Sequence, residues 1–238
     1  MFYKLIKKKC DEWMKSPDCT IRELIQYIYT QNKMRDAQIE AIKIYLFLKI
    51  ACGNRPLWQL FTEGSFNSLD LTAMELTVEA REILTTNKAA AALLEYSLLT
   101  DKNGKQLAPE LEKVIKSQSE HINYEDVFKK IFYGVNYTDY LFSLPMGAGK
   151  TYLMAAFIYL DLYFAQNESS NPAFAHNFMV LAPSGLKSSI IPSLKNIQEF
   201  DPTWIIPEPT ASNLRRIIKF EILDEQKSAK KSNLVRNP

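Results

Sequence analysis

Between about residue 20 and about residue 133, apolar residues recur three and four positions apart, the period of helices packed on one face. Thr20-Ile-Arg-Glu23 has the form of a capping box ahead of Leu24, Ile25, Tyr27 and Ile28. Asp36 is placed to cap a second helix carrying Ile39, Ile42, Leu46 and Ile50, with a stop near Gly53. Leu71 to Leu99, rich in Ala, Leu and Glu, reads as two helices broken near Thr85 to Asn87. Asp101-Lys-Asn-Gly104 reads as a turn. Pro109 to Ile122 and Tyr124 to Tyr133 read as further helices, the second opened by Asn123.

From Tyr137 the pattern changes. Short apolar runs at Tyr140–Leu144, Phe178–Ala182 and Trp204–Ile206 alternate with amphipathic stretches at Thr151–Leu160 and Lys187–Phe200. This order predicts βαβαβ and a parallel sheet with right-handed crossovers. The expected fold class is therefore α/β: a helical region over residues 1–133, then a P-loop domain with a parallel sheet over 134–238, ending in a basic tail.

The expected sheet gives meaning to Ser143-Leu-Pro-Met-Gly-Ala-Gly-Lys-Thr151, which lies between a predicted strand and a predicted helix. Gly147 and Gly149, with Ala148 between them, let the backbone turn its N–H groups toward phosphate oxygens. Lys150 supplies a point charge for the β- and γ-phosphates, and Thr151 a hydroxyl for Mg²⁺. The helix that follows would aim its positive end at the same anion. ATP and Mg²⁺ are the expected cofactors, with Lys150 and Thr151 as the catalytic candidates. The strict motif asks for glycine at position 144, where this chain has Leu144.

Two further stretches carry candidate chemistry. Asn177 to Gly185 ends a predicted strand in Pro183-Ser184-Gly185. A loop at the carboxyl end of such a strand can meet a phosphate, of nucleotide or of nucleic-acid backbone; Ser184 as a plain helix cap is the alternative. Arg35 and Gln38 sit at a predicted helix start. A glutamine amide can pair with an adenine edge, although a surface glutamine on a helix is also commonplace.

Taken together, Arg-x-x-Gln-x-x-Ala-Ile at 35–42, Met-Gly-Ala-Gly-Lys-Thr at 146–151 and Val-Leu-Ala-Pro-Ser at 180–184 resemble the front end of superfamily 2 helicase motors. The pattern is most similar to the DEAD/DEAH-like translocase subunit of type III restriction enzymes, which often replaces the first loop glycine. The resemblance implies a RecA-like domain. It implies that Gln38, with Arg35 nearby, recognises adenine, and that Gly147, Gly149, Lys150 and Thr151 form motif I. It also implies that Pro183 and Ser184, with Gly185, contact nucleic-acid backbone. The family's Asp-Glu-x-His, its Ser-Ala-Thr and its second motor domain are missing from these 238 residues. The expected function is thus that of the N-terminal part of an ATP-dependent DNA translocase, with DNA as partner and a methyltransferase or specificity subunit as a possible second one. The alternatives are a self-contained P-loop nucleotide-binding protein or phosphotransferase, and a non-enzymatic module with a degenerate P-loop.

Composition narrows the picture slightly. The chain is 47% apolar and 24% charged, with a net charge of +2 that does not by itself call for nucleic acid. Three cysteines without metal-ligand spacing, and no apolar run long enough to span a bilayer, lead to the expectation of a cytoplasmic protein with no membrane partner. From Asn213 onward seven Lys/Arg face three Asp/Glu, which reads as a solvated terminus or as a nucleic-acid contact. Ile222-Leu-Asp-Glu225 has the form of a Walker B strand. The spacing of Leu214, Ile217, Ile218 and Ile222 after Ser212 instead predicts an amphipathic helix capped by that serine.

Overall fold

The structure, a computed structural model, describes residues 2–181 and 187–221. Among these residues the chain forms eleven α-helices: α1 (Tyr3–Lys15), α2 (Arg22–Gln31), α3 (Asp36–Ile50), α4 (Leu57–Thr62), α5 (Val78–Thr86), α6 (Lys88–Ser97), α7 (Pro109–Ser117), α8 (Tyr124–Ile131), α9 (Lys150–Asn167), α10 (Lys187–Gln198) and α11 (Thr210–Ile217). They divide into two compact units. One holds residues 1–16 and 47–141, the other 17–46 and 142–238. The division differs from the boundary at 133/134 expected from the sequence, because α2 and most of α3 group with the phosphate-loop segment.

In the first unit, α4 packs on α6 and α8, and α6 on α5 and α7. The run of four alanines in α6 is buried throughout and allows that close approach. Phe61, stacked on Phe128 at 5.5 Å and tilted on Phe66 at 4.7 Å, anchors the core. The expected break near Asn87 and the expected start after Asn123 are present: Asn87 accepts the Ala90 N–H to open α6, and Asn123 accepts the Asp126 N–H to open α8. The helix expected from Leu71 instead opens at Val78, where Thr77 accepts the Ala80 N–H.

In the second unit, α9 is buried on nearly every side, through Leu153, Ala155, Ala156, Ile158, Tyr159, Leu160, Leu162 and Phe164. It packs against α10 and α11. Asp161, within this apolar helix, accepts the Tyr45 hydroxyl at 2.6 Å and the Ala175 N–H at 3.0 Å. It thereby satisfies a buried carboxylate and fixes the chain that follows α9.

The expected parallel sheet is not found: no β-strand occurs among the described residues, only one isolated bridge between Thr100 and Gln106. The α/β, RecA-like expectation is corrected accordingly. Each of the three apolar runs fails as a strand for its own reason. The Tyr140–Leu144 run alternates half-buried and exposed residues, with Leu141 92% exposed, but no described segment pairs with it. In the Phe178–Ala182 run, Met179 and Leu181, which would share one face of a strand, are 80% and 81% exposed, and Phe178 on the other face is exposed as well, so neither face is fully covered. At Trp204–Ile206 the chain leaves a 3₁₀ turn, Pro202–Trp204, which Asp201 caps through the Thr203 N–H. An apolar run reads the same whether or not a neighbouring strand exists to pair with it.

Two caps also differ. The helix after Thr20 starts at Arg22 behind Ile21, with no side-chain cap. The last helix starts at Thr210, ahead of Ser212, and ends at Ile217, short of the expected Ile222. Glu208 takes the capping role: its carboxylate accepts both the N–H and the hydroxyl of Ser212. Ile222–Glu225 lies outside the described residues.

Candidate phosphate-binding loop

Gly147 and Gly149 both sit at positive φ, +76° and +77°. In that left-handed region an L side chain is strained, so the two glycines are what lets the chain reverse before α9. The turn closes on itself: the Ala148 N–H donates to the Pro145 carbonyl at 3.2 Å. Leu153 N–H to Gly149 C=O, at 3.1 Å, is the first bond of the α9 ladder. The N–H groups of Lys150, Thr151 and Tyr152 thus belong to the first turn, which has no earlier helical carbonyls to bond.

Three side chains grip the loop by its carbonyls. Lys150 Nζ donates back to the Pro145 carbonyl at 3.1 Å. The Arg35 guanidinium donates to the Gly147 carbonyl. Gln38 Nε2 donates to the Gly149 carbonyl at 2.8 Å. Across a trans peptide the C=O and the next N–H point in opposite directions. Holding the Gly149 carbonyl on Gln38 therefore aims the Lys150 N–H the other way.

The charge at the loop is positive. Arg35 and Lys150 bring two cations, α9 directs its N-terminus at the same place, and residues 140–160 contain no Asp or Glu. Lys150 has further N–H donors beyond the one on Pro145. Thr151 occupies the second position of α9, so its hydroxyl belongs to the same first turn. Nothing lies within 4 Å of where a Cβ on Gly147 would sit, so that side of the loop is open. Thr151 is the residue that would hold Mg²⁺.

The base side of the site is different. Gln38 is 3% exposed, and its Oε1 accepts the Arg35 N–H at 2.8 Å while Nε2 serves Gly149. Both ends of the amide are spent inside the protein, in the manner of the reciprocal half of a capping box at the start of α3. Of the residues expected from the sequence, Arg35, Gln38, Gly147, Ala148, Gly149, Lys150 and Thr151 come together around one loop. Pro183, Ser184 and Gly185 lie outside the described residues. The spacing along the chain did not point to the aromatic pair beside the loop: Tyr152 stacks on Trp204, with ring centroids 5.6 Å apart. An aromatic residue directly after the Lys-Thr pair was the only available signal.

Comparison of this chain with protein-family models, with curated proteins and with solved structures finds no match to any of them.

Proposed function

We propose that this chain binds the triphosphate of ATP, with Mg²⁺, on the loop from Pro145 to Thr151. The observation that carries the proposal is the three-fold grip of Lys150, Arg35 and Gln38 on the carbonyls of Pro145, Gly147 and Gly149. An ordinary strand-to-helix or helix-to-helix turn needs no such bracing, whereas a loop that receives an anion gains affinity from being held in shape beforehand. Lys150 is the phosphate ligand, Thr151 the Mg²⁺ ligand, and the N–H groups at the start of α9 complete the cradle.

The wider proposal is that this loop serves an ATP-dependent motor that moves along DNA, with a methyltransferase or specificity subunit as partner. It rests on the three-part resemblance at residues 35–42, 146–151 and 180–184. Such a motor needs a carboxylate to position the attacking water, and the Asp-Glu-x-His or Asp-Glu-x-Asp that would supply it does not occur in these 238 residues. These 238 residues are therefore expected to bind nucleotide with little turnover. No helix among the described residues is long and apolar enough to cross a membrane. One observation favours a second reading, a non-enzymatic helical module with a P-loop remnant: the described residues contain no strand.

Calorimetric titration with Mg-ATP separates the two readings. The nucleotide proposal expects saturable binding, lost in Lys150→Ala while the thermal melt stays within a few degrees. Equal binding by wild type and Lys150→Ala would overturn it, and no binding by either would favour the helical module.

A further inference from the structure

Tyr152 and Trp204 form an aromatic pair beside the loop. Tyr152 is the third residue of α9, and its ring Cδ2 lies 3.8 Å from where a Cβ on Gly149 would sit. Trp204 stacks on the ring with a 26° interplanar angle at 5.6 Å. Trp204 is itself backed edge-on by Phe200 at 5.3 Å, and Phe200 is fully buried. The 3₁₀ turn that carries Trp204 is fixed from two directions: Asp201 caps it, and the Tyr27 hydroxyl donates to the Thr203 carbonyl at 2.7 Å. Tyr152 is therefore a braced ring, and yet 38% of the residue is exposed. A large aromatic side chain held rigid beside an anion-binding loop, with accessible area left over, offers stacking at little ordering cost.

The Gln38 amide is not presented to a base: the residue is 3% exposed. Gln38 gives its donor to Gly149 and its acceptor to Arg35. Turning this buried amide outward to meet a base edge would break both bonds and release the loop that it holds.

We infer that the base of the bound nucleotide is held by stacking on Tyr152, backed by Trp204, and not by hydrogen bonds to its edge. This rests on the phosphate-loop proposal above. Stacking is tolerant of base identity, because every base presents a π face. The site is therefore a general nucleotide site, with little preference between ATP and GTP.

The test is equilibrium binding of Mg-ATP, Mg-GTP and Mg-tripolyphosphate to the full chain, as wild type, Tyr152→Ala and Tyr152→Phe. Wild type is expected to bind ATP and GTP within about threefold of each other, and each about tenfold or more tighter than tripolyphosphate, the range that base–aromatic stacking supplies. Tyr152→Ala should bring both nucleotides to the tripolyphosphate level and leave tripolyphosphate unchanged, while Tyr152→Phe retains wild-type binding. Tripolyphosphate binding as tight as ATP in the wild type overturns the inference. So does a strong preference for ATP over GTP, and so does a Tyr152→Ala variant that weakens all three ligands equally, which would make the ring only a support for the loop. If wild type binds none of the three, the phosphate-loop proposal fails first and this inference with it.

Discussion

Gln38 and Gly149 are fitted to one another: the glutamine amide donates to the glycine carbonyl at 2.8 Å, and a Cβ on Gly149 would lie only 2.6 Å from the same amide nitrogen. A residue 111 positions earlier in the chain thus sets both the orientation of the loop's last peptide and the residue type the loop accepts there. The turn before α9 is shaped by tertiary contact as well as by its own glycines.

The two loop glycines are predicted to differ in their tolerance of alanine. Gly147→Ala meets backbone strain alone, at φ +76° with nothing within 4 Å of the new Cβ, and should cost about 1–2 kcal/mol. Gly149→Ala carries the same strain and also pushes Gln38 off its bonds to Gly149 and Arg35. Thermal melts should show the larger loss for Gly149→Ala. Equal losses would mean that Gln38 yields freely and does not brace the loop.

Gln38→Glu tests the donor end of the same contact. One carboxylate oxygen still accepts the Arg35 N–H, but the other faces the Gly149 carbonyl with no proton to give. The buried, repelled carboxylate is expected to have a raised folded-state pKa, so its penalty is small near the unfolded value of about 4.3, grows as pH rises from there to the folded value, and is constant above it. The variant is expected to lose stability relative to wild type by about 1–3 kcal/mol at pH 8 and to recover part of it near pH 5. Chemical denaturation at the two pH values reads this directly, and a deficit independent of pH would place the carboxylate elsewhere.

Cys52 and three tyrosines predict alkaline behaviour. Burial pushes the Cys52 thiol up to about 12, and Tyr124 likewise to about 12, against the weaker pull of Arg55 on the cysteine and with the help of Glu120 at the tyrosine. Tyr159 is raised by burial as well, and burial raises Tyr140 further still. These groups are neutral in the folded chain at pH values where the unfolded chain ionises them. Stability is therefore complete below about pH 8.5, the unfolded thiol value, and falls as pH rises toward 12. Native protein at pH 8 should also leave Cys10, Cys19 and Cys52 unmodified by iodoacetamide, since all three are buried. Rapid alkylation of Cys52 before unfolding would contradict its position.

Much of the helical half was legible because its signals are local. Asn87 and Asn123 cap their helices through bonds three residues away, and the alanine and leucine spacing of Lys88–Ser97 needs no distant partner to declare a helix. Ser212 does not cap Thr210–Ile217, because the carboxylate that accepts its N–H, Glu208, precedes it by a turn. The strands expected at Tyr140–Leu144, Phe178–Ala182 and Trp204–Ile206 are absent among the described residues for a different reason. A strand is defined by its neighbour, and an apolar run carries no record of whether one is present.

The amino-acid sequence by itself determined the glycines, the lysine and the threonine before α9, and so the chemistry that this turn can offer an anion. Residue type and order settle backbone freedom, charge and hydroxyl supply within a few positions of one another. Only the tertiary structure decided what Gln38 and Tyr152 do. Whether an amide is free to read a base or is consumed in bracing a loop, and whether a ring is buried or left open on a braced face, depends on groups brought together from Arg35, Gly149 and Trp204, far apart along the chain.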